Sequence, residues 1–323
     1  MILRLLLLSL VMVLNTRWSG GAEVRAPLET RNAALRYWMA FAEMKDPPAD
    51  KSLQDLLERT SVGQAAWDEA KLGPILDLNG EALQTMQRAT KLPECDWGIE
   101  YGRPAPPIAY LARARVMARL NTLQASREIA GGQAQAAVLR LLAGIRFSEH
   151  LANGGSLISV LTAKNSLLPV FQLLTQEATK GRLTEAQKKQ ALGALKALPD
   201  DGFDWAAAWE MEELSMETFF AELRSSKAPK STYEASMGEA MPEGATIPEP
   251  KDLNRFREYM AAVKAELKLS PDAARARLEI LVTQKGTLGE LTQRLVPSPG
   301  KVNESRAEVL AARKALLVAL GVK

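Results

Sequence analysis

Helix-forming residues dominate the chain after its first residues, and this constrains the fold more than any other feature. Ala, Leu, Glu, Gln, Arg and Met are abundant, and these residues have high intrinsic helix propensities. The sequence lacks the runs of alternating β-branched and polar residues that are typical of strands. We therefore predict an all-α fold.

Helical spacing and the punctuation between segments predict the individual helices. Asn79 is a predicted N-cap, Thr184 and Gln187 have the spacing of a capping box, and Ser270 precedes Pro271 as a second N-cap signal. The predicted helices cover about residues 28–45, 49–60, 63–71, 80–91, 105–130, 133–152, 156–179, 184–198, 204–225, 251–268, 271–284 and 303–320.

The first 22 residues have the order of a secretory signal peptide. Arg4 makes the start positive, Leu5–Leu14 is almost entirely apolar, and Gly20 and Ala22 are small residues at the −3 and −1 positions of a cleavage site. The apolar run is shorter than the roughly 20 residues that span a bilayer. We predict cleavage and export to the periplasm or the extracellular space; the alternative is an uncleaved anchor. No later segment reads as a membrane span, so none is expected after cleavage.

Composition divides the mature chain into two helical parts. The segment 227–250 is rich in Pro, Ser, Glu and Gly and reads as a linker or mobile loop. It separates a main helical domain, 27–226, from a C-terminal helical segment, 251–323. The apolar residues of the last helix recur at helical spacing, which favours docking on the protein body over binding to a membrane surface.

One segment, Thr122–Leu151, reads as a helix pair with small residues where its helices approach closely. It resembles a degenerate tetratricopeptide repeat at Ala125, Gly132, Ala137, Leu141 and Ile145. The resemblance covers about one repeat. Two architectures therefore remain open, a helical bundle or a short tetratricopeptide-like α-solenoid, each with an additional C-terminal helical unit.

A second resemblance covers about residues 30–225. It is carried by Tyr37-Trp38, by Cys95-Asp96-Trp97-Gly98, by the helix pair around Gly132 and by Trp209–Phe220. In these features the chain resembles uncharacterised exported all-helical proteins of bacteria. The resemblance implies an exported helical fold and no particular activity.

The sequence lacks the motifs of several functional classes. His150 is the only histidine and Cys95 the only cysteine, so a His-rich metal centre and an internal disulfide are excluded. There is no Gly-x-Ser-x-Gly elbow, His-Glu-x-x-His motif, phosphate loop or dinucleotide fingerprint. The Asp200–Asp204 segment predicts a turn before a helix N-cap instead of a calcium loop. We expect no catalytic motif, no cofactor and no metal.

Charge argues against a nucleic-acid partner. Cleavage of the signal peptide would remove Arg4 and Arg17, which leaves 39 basic residues against 38 acidic ones. Neither a long Lys/Arg block nor a basic stripe interleaved with aromatic residues is present. The unpaired Cys95 is expected to be buried and unreactive; the alternative is a disulfide to another chain.

Five ionisable residues are predicted on otherwise apolar helix faces: Arg115, Arg119, Glu149, Lys164 and Glu212. Burying an unpaired charge costs several kcal/mol, so we expect these groups to meet. They would form either an internal ion-pair network, with Glu212 on Arg115 or Arg119, or a polar pocket that holds an anionic group. In the pocket, Glu149 or Glu212 could act as an acid. His150 is predicted to point away from the apolar face.

Two functions remain open at this point. The first is an exported non-enzymatic helical scaffold or binding protein, with a protein or peptide as its partner. The alternative is an enzyme that cleaves cell-wall glycans with a partly buried Glu; the Asn303-Glu304-Ser305 segment faintly resembles the Glu-Ser pair of exported lytic enzymes. An open cleft beside Glu149 or Glu212 would favour the enzyme.

Overall fold

The computed structural model describes residues 31–100 and 108–322, and its described part is all-α, as predicted. In these residues no strand forms, and one isolated parallel bridge pairs Asn32 with Glu94. The chain from Asn32 onward forms one compact unit. The predicted signal peptide lies outside the described residues.

The α-helices are numbered here in chain order. They are α1 (Ala33–Glu43), α2 (Lys51–Ser61), α3 (Glu69–Asp77), α4 (Gly80–Ala89), α5 (Tyr110–Ala130), α6 (Ala134–Ala152), α7 (Leu157–Thr179), α8 (Glu185–Lys196), α9 (Trp205–Ser225), α10 (Pro229–Met237), α11 (Pro250–Leu267), α12 (Pro271–Gln284), α13 (Glu290–Leu295) and α14 (Pro299–Ala319). A short 3₁₀ turn, Lys285–Thr287, follows α12.

Helix α7 organises the core. It packs against α5, α6, α9 and α14, while α2 and α3 pack on α5, and α1 packs on α4. Gly144 on α6 permits close contact with two neighbouring helices, since a Cβ there would lie 2.8 Å from Val170 Cγ2 on α7 and 3.0 Å from Asn121 Nδ2 on α5. A larger residue at position 144 would therefore push these three helices apart.

Among the described residues, α7 is also the one helix that is long and apolar enough to cross a membrane. Its 18-residue window has a mean hydropathy of 1.4, and 61% of that window is buried inside the protein. The prediction that no later segment has this length and composition was wrong. A helix that is apolar around most of its circumference is also what a central core position requires.

Several predicted helix boundaries are confirmed. Thr184 and Gln187 form the capping box, and Ser270 accepts a hydrogen bond from Ala273 N at the start of α12. Asp204 accepts one from Ala207 N at 2.9 Å, so the Asp200–Asp204 segment is a turn that leads into an N-cap.

Asn79 is the N-cap residue of α4, as predicted, but its side chain makes no capping hydrogen bond. Its Oδ1 accepts from Lys45 N and its Nδ2 donates to Lys45 O and Ile75 O, which ties the loop after α1 to α3. Other elements differ from the predicted ones. The helix expected at 63–71 begins later because Asp68 is its N-cap. Helix α10 forms inside 227–250, and α13 was not predicted.

The C-terminal helix α14 packs on α7 and α12, with Val309 and Leu316 fully buried. Two buried arginines fasten it to the loop before α9. Arg306 Nε lies 2.8 Å from Asp201 Oδ2, and Arg313 donates to Leu198 O at 2.9 Å. The predicted C-terminal segment 251–323 is therefore joined to the main body by apolar and ionic contacts.

Candidate functional site

The five predicted charged residues do not form one network. Lys164 pairs with Glu308 on α14. Glu149 pairs with Arg146 on its own helix, at 2.6 Å between Oε1 and Nη1. Each of these groups thus has a local partner, and neither pair includes another of the five.

Glu212 interacts with the backbone instead of an arginine. Its Oε1 accepts a hydrogen bond of 2.9 Å from Leu157 N, at the first residue of α7. Burial raises the pKa of this carboxyl, and the Leu157 hydrogen bond opposes that rise. The predicted pairing with Arg115 or Arg119 was wrong, because α9 meets α7 where the helix has unpaired N–H groups and favours a nearby carboxylate.

Arg115 and Arg119 are the two predicted residues that the structure brings together. They lie one turn apart on α5 and line a groove of about 310 Å³ between α2, α5 and α7. Arg119 Nη1 donates to Gln54 Oε1 at 2.9 Å, and Arg115 Nη2 lies 3.4 Å from Thr162 Oγ1. The other lining residues are Glu58, Ser61, Val62, Ala118, Thr122, Asn165, Ser166 and Pro169. We call this the arginine groove.

Positive charge in the arginine groove is not neutralised at close range. Among the described residues, no carboxylate lies within 4.0 Å of a guanidinium nitrogen of Arg115 or Arg119. Glu58 lines the groove but forms no ion pair with them. Pro169 has no N–H, so the carbonyl of Asn165 lacks its usual helical donor. The groove therefore offers two cationic donors beside a few acceptors, which suits an anion that also carries a donor.

Sequence reasoning placed His150 on the wrong side of α6. The residue is 0% exposed, and its Nδ1 lies 2.8 Å from the hydroxyl of Tyr37. Trp97 Nε1 donates to the His150 carbonyl at 2.7 Å, and Nε2 has no partner among the described residues. Burial, and then the charge of Arg146, lower the pKa of His150 to about 3. The imidazole is therefore neutral and closed off from solvent, which suits a packing role better than acid–base catalysis.

Helix α6 buries more of its circumference than one apolar stripe predicts, because α5 and α7 both pack on it. The sequence signal for His150 was the presence of aromatic residues in distant segments: the ring of Tyr37 contacts the His150 ring edge-on, and Trp97 stacks on Tyr37. Cys95 is buried near this cluster, as expected. Desolvation raises the pKa of its thiol to about 12, so the thiol stays protonated at neutral pH.

Known proteins give no further guide to the site. No protein-family model, curated protein or solved structure matched this chain. Within residues 31–100 and 108–322, no group of three or more His, Cys, Asp or Glu side chains has an arrangement that could hold a metal ion. The assignment of function therefore depends on the geometry of the arginine groove.

Proposed function

We propose that this chain is an exported helical binding protein that holds a small anionic ligand in the arginine groove. The observation that carries the proposal is the pair of guanidinium groups, one turn apart, that line a concave site without a carboxylate at ion-pair distance. Guanidinium groups form charge-assisted hydrogen bonds to carboxylate and phosphate, often in pairs. A protein or peptide that presents a carboxylate or a phosphate to the groove would fit the partner predicted from the sequence.

One sequence feature and one structural feature support the wider part of the proposal. The order of charged, apolar and small residues over 1–22 supports export. The closely packed pair α5 and α6 supports a tetratricopeptide-like unit, a type of scaffold that exposes concave binding surfaces. The alternative, glycan cleavage by Glu149 or Glu212, gains no support from the geometry, because Arg146 and the Leu157 amide engage these carboxylates.

Replacing either groove arginine with alanine is expected to weaken anion binding about tenfold. Each substitution removes a charged hydrogen-bond donor, and such bonds contribute about 1.5–3 kcal/mol. Isothermal titration calorimetry with inorganic phosphate and with glutarate would measure the effect in Arg115→Ala and Arg119→Ala. These probes distinguish a phosphate group from a carboxylate.

The matched control is Arg113→Ala on the same helix. Arg113 forms an exposed ion pair with Asp46 at 2.7 Å and does not line the groove. This variant should bind both probes as the unchanged protein does. Equal affinities in all three variants, or no binding of either anion to the unchanged protein, would contradict the proposal.

Export makes a separate prediction. When the full chain is produced in a secreting bacterium, mass spectrometry of the purified protein should show a mature N-terminus at Glu23, following cleavage after Ala22. A protein that retains Met1 and sediments with membranes would instead support the uncleaved anchor.

A further inference from the structure

A second cavity, of about 510 Å³, opens where α5 ends and α3 begins. Its lining residues are Trp67, Glu69, Gln124, Arg127, Glu128, Ala130, Gly131 and Gln133. We call it the tryptophan cavity. It shares no lining residue with the arginine groove, so the two sites can be tested independently.

Glu128 is the unusual group in the tryptophan cavity. The residue is only 5% exposed, and both of its hydrogen bonds reach the same oxygen, Oε1: one of 2.9 Å from Arg140 Nε and one of 3.0 Å from Gln124 Nε2. The other oxygen, Oε2, is buried and has no partner among the described residues, and Nη1 of Arg140 is likewise buried without an acceptor. A buried carboxylate oxygen without a donor costs free energy, so a ligand that supplies a positively charged N–H donor would be stabilised there.

The charge around the tryptophan cavity is negative. Arg127 pairs with Glu69 and with Asp77, and Arg140 pairs with Glu128, so three carboxylates face two guanidiniums. The C-terminal end of α5, whose helix dipole is also negative, closes one side. Hydrogen bonds from Trp67 and Arg127 lower the pKa of Glu69, which is therefore ionised at neutral pH. One positive charge on a ligand would balance the group.

Trp67 adds an aromatic surface to this negative cavity. Its Nε1 donates to Glu69 Oε2 at 2.7 Å, which fixes the ring beside the carboxylate. Cations are attracted to the face of a tryptophan ring, and an aliphatic chain can pack on the same ring. We propose that the tryptophan cavity binds an aliphatic primary amine, with its ammonium group donating to Glu128 and its carbon chain against Trp67.

Access to Glu128 requires one small movement. Gln124 lines the cavity, is half-buried and donates to Glu128 Oε1. Rotation of this flexible side chain opens the carboxylate to a ligand, and the incoming ammonium replaces the lost hydrogen bond. The Arg140 contact on the protein side stays in place.

The test uses n-butylamine, with 1-butanol as its uncharged analogue of the same length. Two-dimensional NMR would follow the indole N–H resonance of Trp67, assigned by its loss in Trp67→Phe. Butylamine should shift this resonance to saturation, and butanol should leave it in place. Glu128→Gln should weaken amine binding about tenfold or more, since it removes a charged acceptor.

One variant and one resonance serve as controls. Glu81→Gln changes an exposed carboxylate on α4 that does not line the cavity, and it should bind the amine normally. The Trp97 indole resonance reports an intact core, because that N–H bonds the His150 carbonyl. If Glu128→Gln perturbs it, the more exposed Glu69→Gln replaces that variant and should also weaken binding. The assignment would be overturned if butylamine caused no shift or if butanol caused an equal one. It would also be overturned if the variant that keeps an intact core, Glu128→Gln or Glu69→Gln, bound the amine with unchanged affinity.

Discussion

Replacing Arg306 with alanine is expected to lower the free energy of unfolding by about 3–5 kcal/mol. The residue is 2% exposed and its guanidinium donates to Asp201 Oδ2, to Asn303 Oδ1 and to the Leu269 carbonyl. The substitution leaves Asp201, itself mostly buried, without its cation and leaves a void beside α14. Urea unfolding followed by circular dichroism would measure the change.

The matched control for Arg306 is Lys314→Ala. Lys314 is exposed on the same helix and, like Arg306, lines a cleft between α14 and the loop before α9. Its removal should therefore change stability by less than about 0.5 kcal/mol. Arg306→Lys should recover only part of the loss, because an ammonium cannot reach three acceptors with the geometry of a guanidinium. A loss under about 1 kcal/mol for Arg306→Ala would show that the contacts of this guanidinium do not stabilise the docking of α14.

Acidification is expected to destabilise the protein through His150. The pKa of this histidine is lowered to about 3 in the folded protein, whereas an unfolded chain has the ordinary value near 6.5. Below about pH 6.5 the unfolded chain binds a proton that the folded chain does not. His150 therefore does not lower the free energy of unfolding above that pH. Below it, the free energy of unfolding falls by about 1.4 kcal/mol per pH unit towards pH 3, which gives a total loss of about 2 kcal/mol at pH 5.

The variant His150→Gln isolates this effect. Its amide does not titrate, so the decrease in stability between pH 7.5 and pH 5 should be about 2 kcal/mol smaller than in the unchanged protein. The variant itself is less stable at pH 7.5, because the Tyr37 contact and the packing around the ring change. Urea titrations at a series of pH values would compare the two slopes, and equal slopes would show that His150 gains its proton without unfolding.

Helical spacing in the sequence predicted only part of the arginine groove. Phase correctly put Arg115 and Arg119 on one face of α5, since residues four apart lie one above the other. The expectation that this face is buried was wrong, because Arg115 is exposed and Arg119 is half-buried. Phase could not assign partners, because the partner depends on which helix crosses at that height. Glu212 therefore meets the N-terminus of α7, and Lys164 meets Glu308 on α14.

The sequence pattern also failed to predict burial on the second face of a helix. A single apolar stripe describes a helix with one neighbour, and it failed for α6, where His150 lies between layers. It also gave no indication of the ion pair between Glu128 and Arg140, which joins α5 to α6. Of these two residues, Glu128 lines the tryptophan cavity. Polar side chains at such positions give no periodic signal, because their burial follows from packing by helices far away in sequence.

The amino-acid sequence alone determined the helical class, most of the helix limits and several caps, since propensity, periodicity and capping depend on residues within a few positions of each other. The tertiary structure decided which charges meet, how α14 is fastened to the loop before α9, and where cavities remain. Those outcomes depend on contacts between residues far apart in sequence, such as the hydrogen bond between Lys164 and Ser305, which are 141 positions apart, and no local pattern encodes them.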